Sequence, residues 1–172
     1  MLRVALLSSS ASLNAGDCRT AQSMRHGDIV MKTPIPSIAE REALMQIGAK
    51  KAVLESDCWL TAEEFARRVH SPVEMIRAQL RDWEEKRQVF SICSNGIDYY
   101  PRYTLDDDFR PYPSNVQILT VLTTTKSRWA MAFWFASVSS YLGGKRPRDL
   151  LHINPERTLA AAEDEAAGIT HG

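Results

Sequence analysis

Residues 61–100 read TAEEFARRVHSPVEMIRAQLRDWEEKRQVFSICSNGIDYY. Thr61-Ala62-Glu63-Glu64 has capping-box form: a hydroxyl for the Glu64 amide and a carboxylate that reaches back. Behind it Ala62, Phe65, Ala66 and Val69 make an inward stripe that runs to His70. Ser71-Pro72-Val73-Glu74 starts a second helix, with Pro72 at the first helical position, where its missing N–H costs nothing. Val73, Ile76, Leu80 and Trp83 fall at i, i+3, i+7 and i+10, one apolar stripe. Two short helices across a tight turn, the second longer and basic on its open side, predict a helix-turn-helix.

The period then changes to two. Residues 88–93 precede Asn95-Gly96, the strongest short hairpin signal, because a type I′ turn needs positive φ at both positions. Ile97-Asp98-Tyr99-Tyr100 returns, and Pro101 is expected to end the pairing. The predicted arrangement is winged-helix-like. On that frame Arg77 and Arg81 lie one turn apart on the open side of the second helix, spaced for bases or phosphates in a major groove. Arg67 and Arg68 on the preceding helix are the backbone anchors. The alternative is that these arginines are solvated and pair with neighbours. Residues 59–110 hold eight basic and ten acidic side chains, whereas a DNA reader is usually basic on its working face.

Downstream, Asp106-Asp107-Asp108 and Arg110-Pro111-Tyr112-Pro113 read as a solvated loop, since consecutive carboxylates diverge and two prolines in three residues exclude helix. Residues 104–113 are therefore the expected linker between modules. Upstream, Ile38, Leu44, Ile47, Ala52 and Val53 permit an amphipathic helix over 37–54, in one piece or in two broken near Gly48, packing onto the helix-turn-helix module. Further forward the chain is poor in core-forming residues. All fourteen aromatic residues lie at or after Trp59, and aromatics carry much of a core's burial. The apolar run Val4–Leu7 stops at serines after four residues, where a secretion signal needs about 7–15. Residues 1–36 are expected to be a disordered leader or an over-long gene start, with initiation at Met24 or Met31.

The 172 residues carry 21 basic and 21 acidic side chains and are 44% hydrophobic. This excludes a disordered chain and a bulk-charge nucleic-acid coat. No stretch approaches the roughly 20 apolar residues of a membrane span. Cys18, Cys58 and Cys93 are too far apart for a metal framework, and an odd number without one fits a reducing cytosol.

In the C-terminal third, Ser114 is the expected cap of a helix bearing Val116, Ile118, Leu119, Val121 and Leu122. A second helix begins near Ser127 and is apolar nearly all round, from Trp129 to Phe135, so it is central to the core or partly an interface. Gly143-Gly144-Lys145 is not a phosphate loop: Ser139 stands where another glycine is needed, and Arg146 stands where Ser or Thr is needed. Its glycines make a sharp turn. Pro147 starts a short helix with Leu150 and Leu151, and a last helix begins at Asn154-Pro155 and runs to Gly168. Glu163-Asp164-Glu165 on it could face a basic cleft or solvent.

Trp134, the small polar run after it, then Leu142-Gly143-Gly144-Lys145-Arg146-Pro147-Arg148-Asp149-Leu150-Leu151 and a final helix resemble the toxin-binding domain of Xre/MbcA/ParS-type antitoxins. The likeness covers about a quarter of the chain, residues 127–172. It implies a helical domain that binds a partner toxin, commonly a RES-domain enzyme acting on NAD, and masks its active site. It implies also that the complex represses its own operon. The family's usual DNA-binding part is all-helical, whereas residues 59–103 read as winged.

The fold class expected is mainly α: a winged-helix-like helix-turn-helix with a β-hairpin, followed by a small C-terminal helical domain. No catalytic motif and no cofactor site occurs, so the expectation is a non-enzyme. The function expected is that of an antitoxin-like protein, with Trp134 and residues 142–151 on the partner and operator DNA as a possible second ligand. Leu142, Leu150 and Leu151 either bury against the toxin or lie in the chain's own core, and Lys145, Arg146 and Arg148 either fix register or are solvated. The alternative function is a stand-alone transcription regulator whose C-terminal helices dimerise.

Overall fold

The computed structural model of the protein describes residues 37–56 and 58–170. The expected leader and Cys18 lie outside them. Helix α1 (Ile38–Glu55) opens with a capping box, in which the Ser37 hydroxyl accepts from the Glu40 amide at 3.2 Å and the Glu40 carboxylate accepts from the Ser37 amide at 2.6 Å. It runs unbroken through Gly48, because one exposed glycine costs only about 1 kcal/mol of helix propensity. Only Val53 on it is buried, while Ile38, Leu44, Met45 and Ile47 are exposed. The expected packing is thus confined to the C-terminal end, where Leu54 joins the core and Lys50 sits 5.1 Å over the Trp129 ring.

Strand β1 (Trp59–Leu60) leads into α2 (Ala62–Val69) and α3 (Val73–Glu85), followed by β2 (Ile92–Ser94) and β3 (Ile97–Pro101). The Thr61 capping box forms as its sequence demands, with Thr61 and Glu64 satisfying each other's amides. His70 closes α2 in the left-handed region at φ 53°. The sheet is antiparallel in the order β1-β3-β2. Asn95 and Gly96, at φ 51° and 76°, make the type I′ turn of the wing. Pro101 does not end the pairing: it lies opposite Trp59, and the ladder continues as the Arg102 amide donates to the Cys58 carbonyl at 2.7 Å. A proline at the last position of a strand forfeits only one donor.

Two apolar clusters result. Leu60, Phe65, Ala66, Ile76, Leu80, Val89, Tyr100 and Leu105 fill the space between the helix-turn-helix and the sheet. The larger cluster joins the other side of that sheet to the C-terminal helices α4 (Asn115–Thr123), α5 (Arg128–Ala136), α6 (Pro147–Leu150) and α7 (Pro155–Thr170). At its centre Phe135 is 1% exposed, stacked on Phe90 at 5.8 Å and packed against Tyr103 at 5.2 Å. The apolar α5 is therefore core. Ser127 caps it, accepting from the Ala130 amide at 3.2 Å, whereas Ser114 gives α4 no side-chain cap because its backbone is already helical.

Residues 104–113 are pinned at both ends rather than free. Thr104 and Leu105 are buried, Leu105 bridges to Pro111, and the Asn115 amide donates to the carbonyls of Gln88 at 2.8 Å and Thr104 at 2.7 Å. Asp107 and Asp108 are the solvated part. The described residues belong to one compact unit. Charge ties it further, since Arg128 of α5 donates to Glu84 of α3 at 2.7 Å and to the Ser91 hydroxyl.

The chain is thus mainly helical with a small three-stranded antiparallel sheet. Among the described residues no helix is long and apolar enough to cross a membrane.

Candidate functional site

Two surfaces carry the residues singled out from sequence. The first is a cleft of about 890 Å³ between α2, α3 and the wing, lined among others by Glu63, Arg77, Arg81, Glu84, Asp98 and Arg128. Arg67, Arg68, Arg77 and Arg81 are all exposed, but the structure does not group them. Only Arg77 and Arg81 share the cleft; Arg67 and Arg68 lie on α2 outside its lining. Arg77 is clamped by two carboxylates, Glu63 across the cleft and Glu74 one turn back at 3.5 Å. The Arg77 hydrogen bond holds the Glu63 carboxyl below the usual carboxylate range. Arg81 forms no ion pair among the described residues. Burial, with Glu84 and Asp98 adding to it, pushes the Tyr100 hydroxyl at the cleft floor up to about 12. The cleft is of mixed charge.

The second surface is built around the glycine turn. The Ser139 and Lys145 backbones bridge, and the Gly144 amide donates to the Ser139 carbonyl at 2.8 Å. Gly143 and Gly144 take φ of 67° and 78°, which a side chain would strain. Arg157 of α7 lies under the turn and donates to the Tyr141 carbonyl at 3.4 Å. Beside it runs a groove of about 500 Å³ between α5 and α7, with Phe133, Trp134, Val138 and Tyr141 on one side and Asp164 and Glu165 on the other. Val138 and Tyr141 are 67% and 46% exposed.

The predicted partner-binding residues divide sharply here. Gly143, Gly144, Lys145, Arg146 and Asp149 are exposed. Leu142, Leu150 and Leu151 are at most 6% exposed, and Pro147 is buried beside them. These leucines pack in the chain's own core and have no surface to offer a toxin; of the two readings open for them, the intramolecular one holds. Trp134 is mostly buried but lines the groove. Arg148 turns inward, its side chain 16% exposed, so it does not act with Lys145 and Arg146 on one face. Glu165 pairs with Lys126 at 2.7 Å, while Glu163 and Asp164 face solvent.

Sequence reasoning missed Val138, Tyr141, Lys126, Arg128 and Arg157. The signal for the first two was present: two apolar side chains stand among four serines in 137–141. The other three act through partners 16 or more residues away in sequence, which no local pattern encodes.

Cys58 and Cys93 are free thiols, and among the described residues no group of three His, Cys, Asp or Glu side chains is placed to hold a metal ion. Comparison with family models, curated proteins and solved structures gave no match.

Proposed function

We propose that the chain is an antitoxin-like protein that binds a RES-type, NAD-consuming toxin through its C-terminal helices and sterically closes the toxin's substrate path. One observation carries the reading. A turn fixed from beneath by Leu142, Pro147 and Arg157 displays Lys145 and Arg146 beside a groove with exposed Val138 and Tyr141. Exposed apolar side chains next to charge on a rigid support are the anatomy of an interface core with a polar rim. The contact set differs from that read from sequence: Val138, Tyr141 and Trp134 supply apolar area, Lys145 and Arg146 fix register, and the buried leucines hold the turn.

Co-expression with a RES-type toxin encoded beside it tests the reading. The intact chain restores growth, preserves cellular NAD and co-purifies with the toxin; Val138→Asp with Tyr141→Asp loses all three while keeping the thermal transition. A chain that neither rescues nor co-purifies removes the proposal.

A second reading rests on the other surface: operator binding by α3 and the wing, either as autoregulation by the complex or in a stand-alone regulator whose C-terminal helices dimerise. Arg81, without an ion pair at the mouth of the winged-helix cleft, is what favours it. Arg77→Ala with Arg81→Ala then weakens DNA binding and flattens its salt dependence, whereas unchanged binding excludes these residues.

A further inference from the structure

A third cleft, of about 330 Å³, opens where the 3₁₀ turn Arg102–Thr104 meets α6; Cys58, Arg102, Tyr103, Tyr112, Arg148 and His152 are among its walls. Neither the winged-helix cleft nor the groove beside the glycine turn includes it. Two hydrogen-bond donors in it lack acceptors. The Tyr103 hydroxyl is buried with no hydrogen-bond partner. It lies within electrostatic reach of the Arg148 guanidinium and the Cys58 thiol, both on the same cleft, and burial pushes it well above its ordinary pKa. Arg148 is itself 16% exposed, and its one polar neighbour is the half-exposed Asp149 carboxylate, 3.6 Å from Nε. The two terminal nitrogens of Arg148 make no hydrogen bond among the described residues. Arg102, by contrast, is engaged: it donates to the Leu105 carbonyl at 2.6 Å, covers the Phe109 ring and stands 3.8 Å from Asp107.

A sequestered guanidinium and a sequestered phenol are both costly without acceptors. What they require in common is an oxygen carrying negative charge, and a planar guanidinium suits an oxyanion in bidentate fashion. Apart from these groups the walls are largely apolar or aromatic, with Leu105 and the stacked Tyr112–His152 pair, whose centroids are 5.9 Å apart. We propose that this cleft is a binding site for a small organic anion, whose carboxylate or phosphate group meets Arg148 and the Tyr103 hydroxyl and whose apolar body lies along Leu105 and Tyr112. The site does not depend on either reading of the function, because it is formed within the free chain.

Cys58 provides a local probe and Cys93 an internal control, since the first lines the cleft and the second is exposed on the wing. The full-length chain is titrated with benzoate, phenyl phosphate and inorganic phosphate, following the thermal midpoint and the alkylation rate of each cysteine by mass spectrometry. Benzoate or phenyl phosphate is expected to raise the midpoint saturably and to slow alkylation at Cys58 without slowing it at Cys93. Inorganic phosphate acting as strongly as phenyl phosphate would overturn the role given to the apolar walls. Tyr103→Phe is expected to weaken binding by about tenfold and to raise the unliganded midpoint, because it removes the unpaired hydroxyl while keeping the ring. Arg148→Gln is expected to abolish Cys58 protection; Arg148→Lys, which keeps the charge, retains part of it. The proposal is overturned if no organic anion protects Cys58, or if protection is undiminished in Tyr103→Phe and Arg148→Lys alike.

Discussion

The chain reverses direction tightly at Asn95-Gly96 and again at Gly143-Gly144, and it holds the two reversals by opposite means. At the wing the turn is secured by its own ladder, with Ser94 opposite Ile97 and Cys93 opposite Asp98. Its tip is solvent: Ile97 is 46% exposed, and a Cβ on Gly96 would meet nothing within 4 Å. At the second turn there is a single backbone bridge, Ser139 to Lys145, and the fixing is done from below by Leu142 at 1% exposure and by Pro147. A ladder-held turn can be altered without touching a core. A core-held turn cannot shift its tip without lifting a side chain out of its packing.

The largest test of that contrast is Leu142→Ala, expected to cost about 2–5 kcal/mol in denaturant unfolding, as for other buried leucines. Ile97→Ala, at the matching place on the wing, should stay within about 0.5 kcal/mol. Comparable losses would dissolve the distinction. Next come Gly96→Ala and Gly144→Ala, each costing about 1–2 kcal/mol because a Cβ is disfavoured at positive φ. Both sites have open space around the new methyl group, so the costs should be alike. A much larger loss at Gly144 would show that its turn has no slack. Thr61→Ala, which removes the α2 cap that supports the wing side, should cost about 1 kcal/mol by the same measurement.

The smallest effect concerns charge on the wing side. The Glu63 carboxyl is held below its ordinary 4.5 by Arg77, so the link contributes in full above pH 4.5. It is lost as the pH falls through the lowered value. A carboxyl titration followed by NMR should place the Glu63 midpoint below that of Glu74 and restore it to the usual range in Arg77→Ala.

The same contrast explains which features are legible in the sequence. Thr61–Glu64, Asn95-Gly96 and Pro155 act on their immediate neighbours, and each forms as its local chemistry requires. Strand β1 escapes a sequence reading because two residues, Trp59 and Leu60, carry no period; only their partners Pro101 and Tyr100, some forty residues on, make them a strand. The glycine turn is legible, but its buttress is not. Leu142 and Leu151 announce burial without saying whether the surface that covers them belongs to this chain, and Arg148 reads as one of three basic residues when it alone faces inward. Val138 and Tyr141 stay hidden because apolar residues in a serine-rich run look like loop filler.

The stacking of Phe90 on Phe135 means that residues 104–113 are no place to divide the molecule. Cut there, the N-terminal piece would bare Trp59, Phe90 and Ile92, and the C-terminal piece would bare Phe135 and Met131, faces that now cover one another. Each fragment would carry an open apolar wound and aggregate. A gene split, a protease or an experimenter aiming for a free wing would obtain neither half in working form.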